Sequence, residues 1–562
     1  MPSPASPLRM VIQRALALSA VVLLGVTACT AAPPVLPSTT PAPTQAPTPT
    51  LFTFGTGTDP LGFDPALVSD TESYRVTRQV MEGLLTVNAV TGDPAPSLAT
   101  EWTEGDDGLK YTFTLRPGVL FHDGTAFDAA AVCANFERWY TMPVSTRGDG
   151  SSSMFKQVFR AFSDDSENSL YDGCTVGSAL QVTLGLKTRL TGFLPSLTLP
   201  AFAISSPTAL KANTANVLDQ TFASNKVSRY GLHPVGTGPF TFAEASAGSV
   251  TMNANKDYWG EKGQITTLKF KTFEQPATRL AALEEGSIDG YDPVTPDNLD
   301  KLIKSGKQVL QRDPFSVMYV GINQKIPVLQ DVKVREAIAA AIDKSLLASN
   351  FFIGGTATTA QFIPPKLSGF NNAVEGIAYD PQKAKTLLAA SSYNGEELPF
   401  YYPTNAARTY LPTPEKVYVQ IAVELTKAGF NIKPVPIPWN EGYLTAVTRD
   451  GNHALSLMGW NGSYADPDNF VGPLFGSPGA ELGMDDPQLT SKITRARSMP
   501  NGPDRVAAYE SISKQIATTV PAIPIVFPIS AIALSDRVQS YPLSPVLNEV
   551  FNQVKLVTPT TD

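Results

Sequence analysis

Apolar and polar positions along the chain follow two periods. Tyr111-Thr112-Phe113-Thr114-Leu115-Arg116 alternates at every second residue and stops at Pro117-Gly118, which predicts a strand running into a turn. Phe121-His122-Asp123-Gly124-Thr125 reads as a second turn. Beyond it Asp128 can cap a helix whose apolar positions, Val132, Phe136 and Trp139, recur at helical spacing. Asp331 can cap another, with Val334, Ile338, Ala341 and Ile342 on one face. Asp380-Pro381 sets a cap and a first-turn proline ahead of Ala384, Leu387 and Leu388. Val317 to Ile322 and Ile523 to Phe527 are unbroken β-rich runs. No repeat of fixed period occurs, which argues against a solenoid or propeller.

The first fifty residues follow neither period. Arg9 and Arg14 flank the start of an apolar run from Ala15 to Leu24, too short to cross a bilayer, which takes about 18 residues. Residues 1–28 therefore read as a secretory signal. Val26-Thr27-Ala28-Cys29 resembles the bacterial lipobox, so Cys29 is expected to be acylated and to anchor the protein by lipid to the outer face of the cytoplasmic membrane. The alternative is an ordinary signal peptide that carries a cysteine. Residues 29–50 are rich in Pro, Thr and Ala, cannot bury a core, and read as an extended tether. At ~3.1 Å per residue it reaches roughly 65 Å.

The rest is long enough for two or three domains, and an apolar content of 43% allows a large core. The formal net charge of −8 argues against nucleic-acid binding, which usually needs a basic patch. Cys133 and Cys174 are an even pair in an exported chain and are expected to form a disulfide, two buried thiols being the alternative. His122, His233 and His453 lie far apart and match no metal-binding spacing, so neither a metal site nor a cofactor is expected. Gly236-Thr237-Gly238-Pro239 lacks the third glycine and the lysine of phosphate loops and reads as a structural turn. Ser153-Met154-Phe155-Lys156 and Ser511-Ile512-Ser513-Lys514 fit S-x-x-K, but no companion motif of an acyl-transfer enzyme accompanies them. An envelope hydrolase is the rival of a different class, and no enzyme is expected.

Met458 to Phe470, with its aromatics, glycines, amide, hydroxyl and carboxylates, suits the rim of a ligand cleft. Motifs elsewhere give it a context. In order these are Gly83-Leu84-Leu85-Thr86-Val87, Pro96-Ser97-Leu98-Ala99 with Trp102, the Tyr111 and Phe121 segments, Val235-Gly236-Thr237-Gly238-Pro239-Phe240, and Asn255-Lys256-Asp257-Tyr258-Trp259-Gly260. Gly286-Ser287-Ile288-Asp289-Gly290, Gly321-Ile322-Asn323, Val332 to Ile338, Ala341-Ile342-Asp343, Tyr379-Asp380-Pro381 and Gly459-Trp460 follow. This series resembles the extracellular solute-binding proteins, family 5, of peptide and nickel ABC importers, over roughly residues 51–555.

The resemblance implies an α/β, bilobal periplasmic-binding-protein-like fold (type II, cluster C), its lobes joined by a two-strand hinge and an extra domain inserted in lobe I. Lobe I is expected at 51–97, 232–319 and 524–562, the inserted domain at 98–231, and lobe II at 320–523. It also implies a monomeric receptor that delivers a small-molecule or peptide ligand to the permease subunits of an ABC importer. In peptide-binding members an aspartate after Gly-Trp receives the ligand ammonium; the matching position here is Ser463. That raises a non-peptide ligand, such as an oligosaccharide, an opine-like compound or a metal chelate. Asp70 or Glu72, near Ser69, can supply the missing charge, or form a solvated turn; Asp466 reads as a turn residue. Arg408-Thr409-Tyr410-Leu411-Pro412 matches a family segment whose arginine holds the ligand carboxylate, against the alternative of a surface arginine. Trp460, Asn461, Gly462, Ser463, Arg408, Tyr410, Ser69 and Asp70 are the expected ligand contacts.

Overall fold

The computed structural model describes residues 50–89, 91–147 and 153–557. The signal segment, Cys29, nearly all of the tether and the Ser153 side chain lie outside the described residues. Three sheets carry the architecture. The first has seven strands in the order Phe240–Ser246, Ser249–Ala254, Thr267–Thr272, Leu51–Thr56, Gly290–Tyr291, Ser530–Leu534 and Gln308–Arg312. The second has six, in the order Ala357–Thr358, Ala522–Phe527, Ser316–Ile322, Leu455–Asn461, Glu397–Thr404 and Asn431–Pro438. These two sheets are the centres of two lobes.

Ser316–Ile322 is buried along its whole length, as its unbroken apolar run implies for a strand covered on both faces. The chain passes from the first sheet to the second through 313–315 and returns through 528–529. Divisions at 319/320 and 523/524 would cut through hydrogen-bonded strands, so the crossings move to these two short segments. Both are sequentially distant and neither contains a strand, which is what a hinge of two connections requires.

The third sheet, in the order Ala99–Glu104, Lys110–Leu115, Gln181–Leu186 and Tyr171–Ser178, belongs to the extra domain. Tyr111, Phe113 and Leu115 face its core, as the alternation predicts. Asp128 caps helix Ala129–Tyr140 through the Ala131 amide, and Val132, Phe136 and Trp139 are buried beneath it. Cys133 on that helix and Cys174 on strand Tyr171–Ser178 form a disulfide. It closes a 41-residue interval, worth about 4 kcal/mol by the chain-entropy estimate.

In the second lobe Asp331 and Asp380 cap helices Val332–Ala341 and Pro381–Ala389. Ile342 is not on the first of these. The backbone turns extended there, and Asp343 caps a new helix, Lys344–Phe351; Ile342 is buried all the same. Among the described residues no helix is long and apolar enough to cross a membrane.

Candidate ligand-binding cleft

Strands Glu397–Thr404, Asn431–Pro438 and Leu455–Asn461 run parallel, so their carboxyl ends emerge on one edge of the second lobe. That edge is where open α/β sheets bind ligands. Arg408 follows the first strand, Trp439 the second, and Trp460 and Asn461 end the third. In the first lobe Leu51–Thr56 runs parallel to both of its neighbours, and the loop beyond its carboxyl end leads to Ser69 and Asp70.

Reciprocal backbone bonds between Arg408 and Leu411, each 3.0 Å, fold 408–411 into a tight turn. Thr409 Oγ1 donates to Asn461 Oδ1 at 3.0 Å and ties this turn to the strand end. A Cβ at Gly459 would overlap the ring of Tyr410, so glycine is what lets the ring lie on the strand. Arg408 stacks its guanidinium 3.9 Å above the centroid of Trp439. Its Nε is buried without a hydrogen-bond partner among the described residues. Burial lowers the pKa of Arg408, while Tyr410, Glu72 and Asp70 act in the opposite sense.

Asp70 and Glu72 thus come near Arg408 from the other lobe. Asp70 caps helix Thr71–Val80, its Oδ1 accepting from the Ser73 amide at 2.9 Å, while its Oδ2 is buried without a partner. Burial raises its carboxyl pKa, against the pull of Ser73 and Arg408. One helical turn on, the Tyr74 hydroxyl is also buried without a partner; burial and then the Asp70 charge push its pKa up. Ser69 precedes Asp70 and is partly exposed.

Glu72 differs from Asp70. It pairs with Arg75 at 2.9 Å, inside a buried ion network that continues from Arg75 to Asp292, from Asp292 to Arg312 and from Arg312 to Glu549. Of the two acids, Asp70 keeps a buried oxygen without a partner, whereas Glu72 is tied through Oε2 into the ion network.

The Met458 to Phe470 loop is held by packing and hydrogen bonds along most of its length. Strand alternation sends Trp460 to the face opposite Gly459 and Asn461, against the cluster containing Phe470 and Phe315. The indole is half-buried and its Nε1 has no partner among the described residues. Gly462 was expected to bring backbone to a ligand. Instead its amide donates to Phe315 O at 2.8 Å, and the space of its missing Cβ is filled by the rings of Phe470 and Phe315. The Ser463 amide donates to Asn469 Oδ1 at 2.8 Å. Asp466 accepts from Arg505 at 2.9 Å and from the Asp468 amide at 2.8 Å, so it is a structural turn residue. Tyr464 packs on the core of the extra domain, and the Thr191 amide donates to Arg497 O at 3.1 Å, so the second lobe touches that domain.

Other chemistry-bearing motifs are accounted for by packing. Ser511 and Lys514 are exposed on helix Pro503–Thr519. His122 Nε2 bonds Gly238 O at 2.9 Å, and His453 Nε2 bonds Glu481 O at 2.8 Å. Sequence reasoning did not find Tyr74 or Trp439. Tyr74 had a signal, lying four residues after Asp70 on one helical face. Trp439 had none, because its contact with Arg408 joins two separate strand ends.

A family model described as bacterial extracellular solute-binding proteins, family 5 Middle, matches residues 93–481. The heme-binding protein A of Haemophilus influenzae is 28% identical over 528 residues, covering 90% of this chain and 92% of its own length. The dipeptide-binding protein of Escherichia coli is 28% identical over 519 residues, covering 88% and 93%. Among solved structures, an ABC transporter-associated periplasmic binding protein of Helicobacter pylori in complex with the peptide STSA superposes with a TM-score of 0.78. It is 25% identical and covers 90% of this chain and 98% of its own.

Proposed function

Because the chain belongs to the bacterial extracellular solute-binding proteins of family 5, we propose that it captures a short peptide-like zwitterion between its lobes and delivers it to an ABC importer permease. The ligand ammonium meets Asp70 and its carboxylate meets Arg408. The observation that carries this reading is the pair of uncommitted, buried charged groups, Asp70 Oδ2 and Arg408 Nε, one from each lobe and near enough to interact. Each feels the other's charge across the lobes, yet Asp70 Oδ2 and Arg408 Nε make no hydrogen bond among the described residues, so a buried acceptor and a buried donor are left for a ligand's ammonium and carboxylate. Tyr74 OH and Trp460 Nε1 add two donors for ligand carbonyls. Ser463, without a carboxylate, is no obstacle, because Asp70 provides the charge from the opposite lobe.

No bond to the ligand is made or broken, and the protein acts as a receptor and not as an enzyme. Lobe I is assigned to the parts of the chain that build the seven-stranded sheet and lobe II to the part between the two crossings. The protein works as a monomer outside the cytoplasm. Cys29 and the tether hold it at the membrane, which fractionation of cells carrying Cys29→Ala checks, since release into the soluble fraction is expected.

Calorimetry with free and N-acetylated dipeptides tests the ligand assignment. Free dipeptides are expected to bind, and acetylation to weaken binding about 100-fold or more, the effect of removing one partner of a buried charge pair. Equal affinity for both forms overturns it.

A further inference from the structure

A second cavity, of about 620 Å³, lies in the second lobe, and none of the cleft residues lines it. It is bounded by residues 342–345, where one helix gives way to the next, by 357–361 beside the sheet edge, by 370–379, and by Phe527 from the strand leading to the return crossing. Ile342, Phe370, Ile377 and Phe527 give it an apolar wall. One cation lines it as well. Lys344 Nζ donates to Thr359 O at 2.9 Å, and no carboxylate among the described residues pairs with it. Burial is the cause that lowers the Lys344 pKa, to about 8, so the amine carries a charge at neutral pH with two donors to spare.

The neighbouring acids are otherwise engaged. Asp343 Oδ1 accepts from the Leu346 amide at 2.9 Å to cap the helix. Glu424 accepts from the Asp343 amide at 3.0 Å and from Gln420 at 2.8 Å. Glu424 and Asp343 act on the Tyr379 hydroxyl, whose pKa is raised by burial and then by these two acids, whereas burial alone acts on Lys344. An unpaired ammonium beside an apolar wall matches one carboxylate on an apolar body.

We propose that this cavity is a second ligand site, taking a small apolar monocarboxylate whose carboxylate bonds Lys344 Nζ. It is independent of the cleft and stands whether or not the cleft takes a zwitterion. The bound anion favours the protonated amine, so affinity is full below the lysine pKa and is lost as pH rises through about 8.

Calorimetry with benzoate, and with benzyl alcohol as its neutral analogue, tests the proposal on three proteins: the full chain, Lys344→Met, and the cleft variant Asp70→Asn/Arg408→Met. Saturable benzoate binding is expected at pH 7, at least about tenfold weaker for Lys344→Met and for benzyl alcohol, and unchanged in the cleft variant. At pH 9.5 the unmodified protein is expected to bind benzoate about tenfold more weakly than at pH 7. That comparison needs no mutation and stands if Lys344→Met does not fold. Absence of saturable binding, indifference to Lys344→Met or to pH, or loss of benzoate binding in the cleft variant overturns the proposal.

Discussion

Glu82 shows how much one side chain can organise. It accepts from Thr237 Oγ1 at 2.7 Å, Trp259 Nε1 at 2.7 Å and Tyr258 OH at 2.8 Å. His122 Nε2 and Asn255 Nδ2 both reach Gly238 O near by. The segments around Gly83, Phe121, Gly236 and Asn255, separate in sequence, are thus one polar knot. Their order was legible as a resemblance. Their reason was not, because the Glu82 hydrogen bonds, each across more than 150 residues, leave no local period.

Burial pushes the Glu82 carboxyl up to about 7, against its three hydrogen bonds and Arg116. Its folded pKa lies above the ordinary glutamate value of 4.5, so between these values the native state holds a proton that the unfolded chain releases. The corresponding stability is present below about pH 4.5 and is lost as pH rises through about 7. Glu82→Gln is expected to flatten the fall in unfolding free energy between pH 5 and pH 8 by on the order of 3 kcal/mol, read by urea denaturation at the two values. Glu481, likewise raised to about 7 by burial, retains its own share of the slope. An unchanged slope in the variant would show that Glu82 is ionised throughout.

Among the elements, those written in one period were readable and those placed by tertiary context were not. Helices announced by Asp128, Asp331 and Asp380 form where the caps predict. Strand Asn431–Pro438 carries Pro434, Pro436 and Pro438, which speak against a strand. It forms because it is the edge of its sheet, where a missing donor can face outward. That edge strand delivers Trp439, which is why the aromatic platform under Arg408 could not be read in advance. Gly459 is likewise explained by tertiary context, since the ring of Tyr410 fills the space of its missing Cβ.

Gly459→Ala is therefore expected to displace Tyr410 and the 408–411 turn. It should cost roughly 1–3 kcal/mol in denaturant unfolding and weaken ligand affinity without touching the ligand. Wild-type stability and affinity in this variant would mean that Tyr410 moves aside freely.

For the molecule as a whole, the lobes are in contact. Lys416 meets Asp297 of the first lobe at 2.5 Å, Lys366 meets Asp313 in the crossing segment, and Tyr464 rests on the extra domain. The two ion pairs are exposed and worth about 0–1 kcal/mol each, too little to hold two domains shut. Ligand charges bridging Asp70 and Arg408 would supply the difference between open and closed states. The two-lobed plan was legible through motif order; the places where it bends were not, since 313–315 and 528–529 are too short to carry a pattern.

The most direct test is a thermodynamic cycle measured by calorimetry. It combines a free dipeptide and its N-acetyl form with the wild-type protein and Asp70→Asn, which keeps a helix-capping side chain while removing the charge. If Asp70 receives the ligand ammonium, acetylation and Asp70→Asn each weaken binding about 100-fold and the double change adds little to either. Additive effects, or a free dipeptide that binds Asp70→Asn as tightly as wild type, would contradict the assignment.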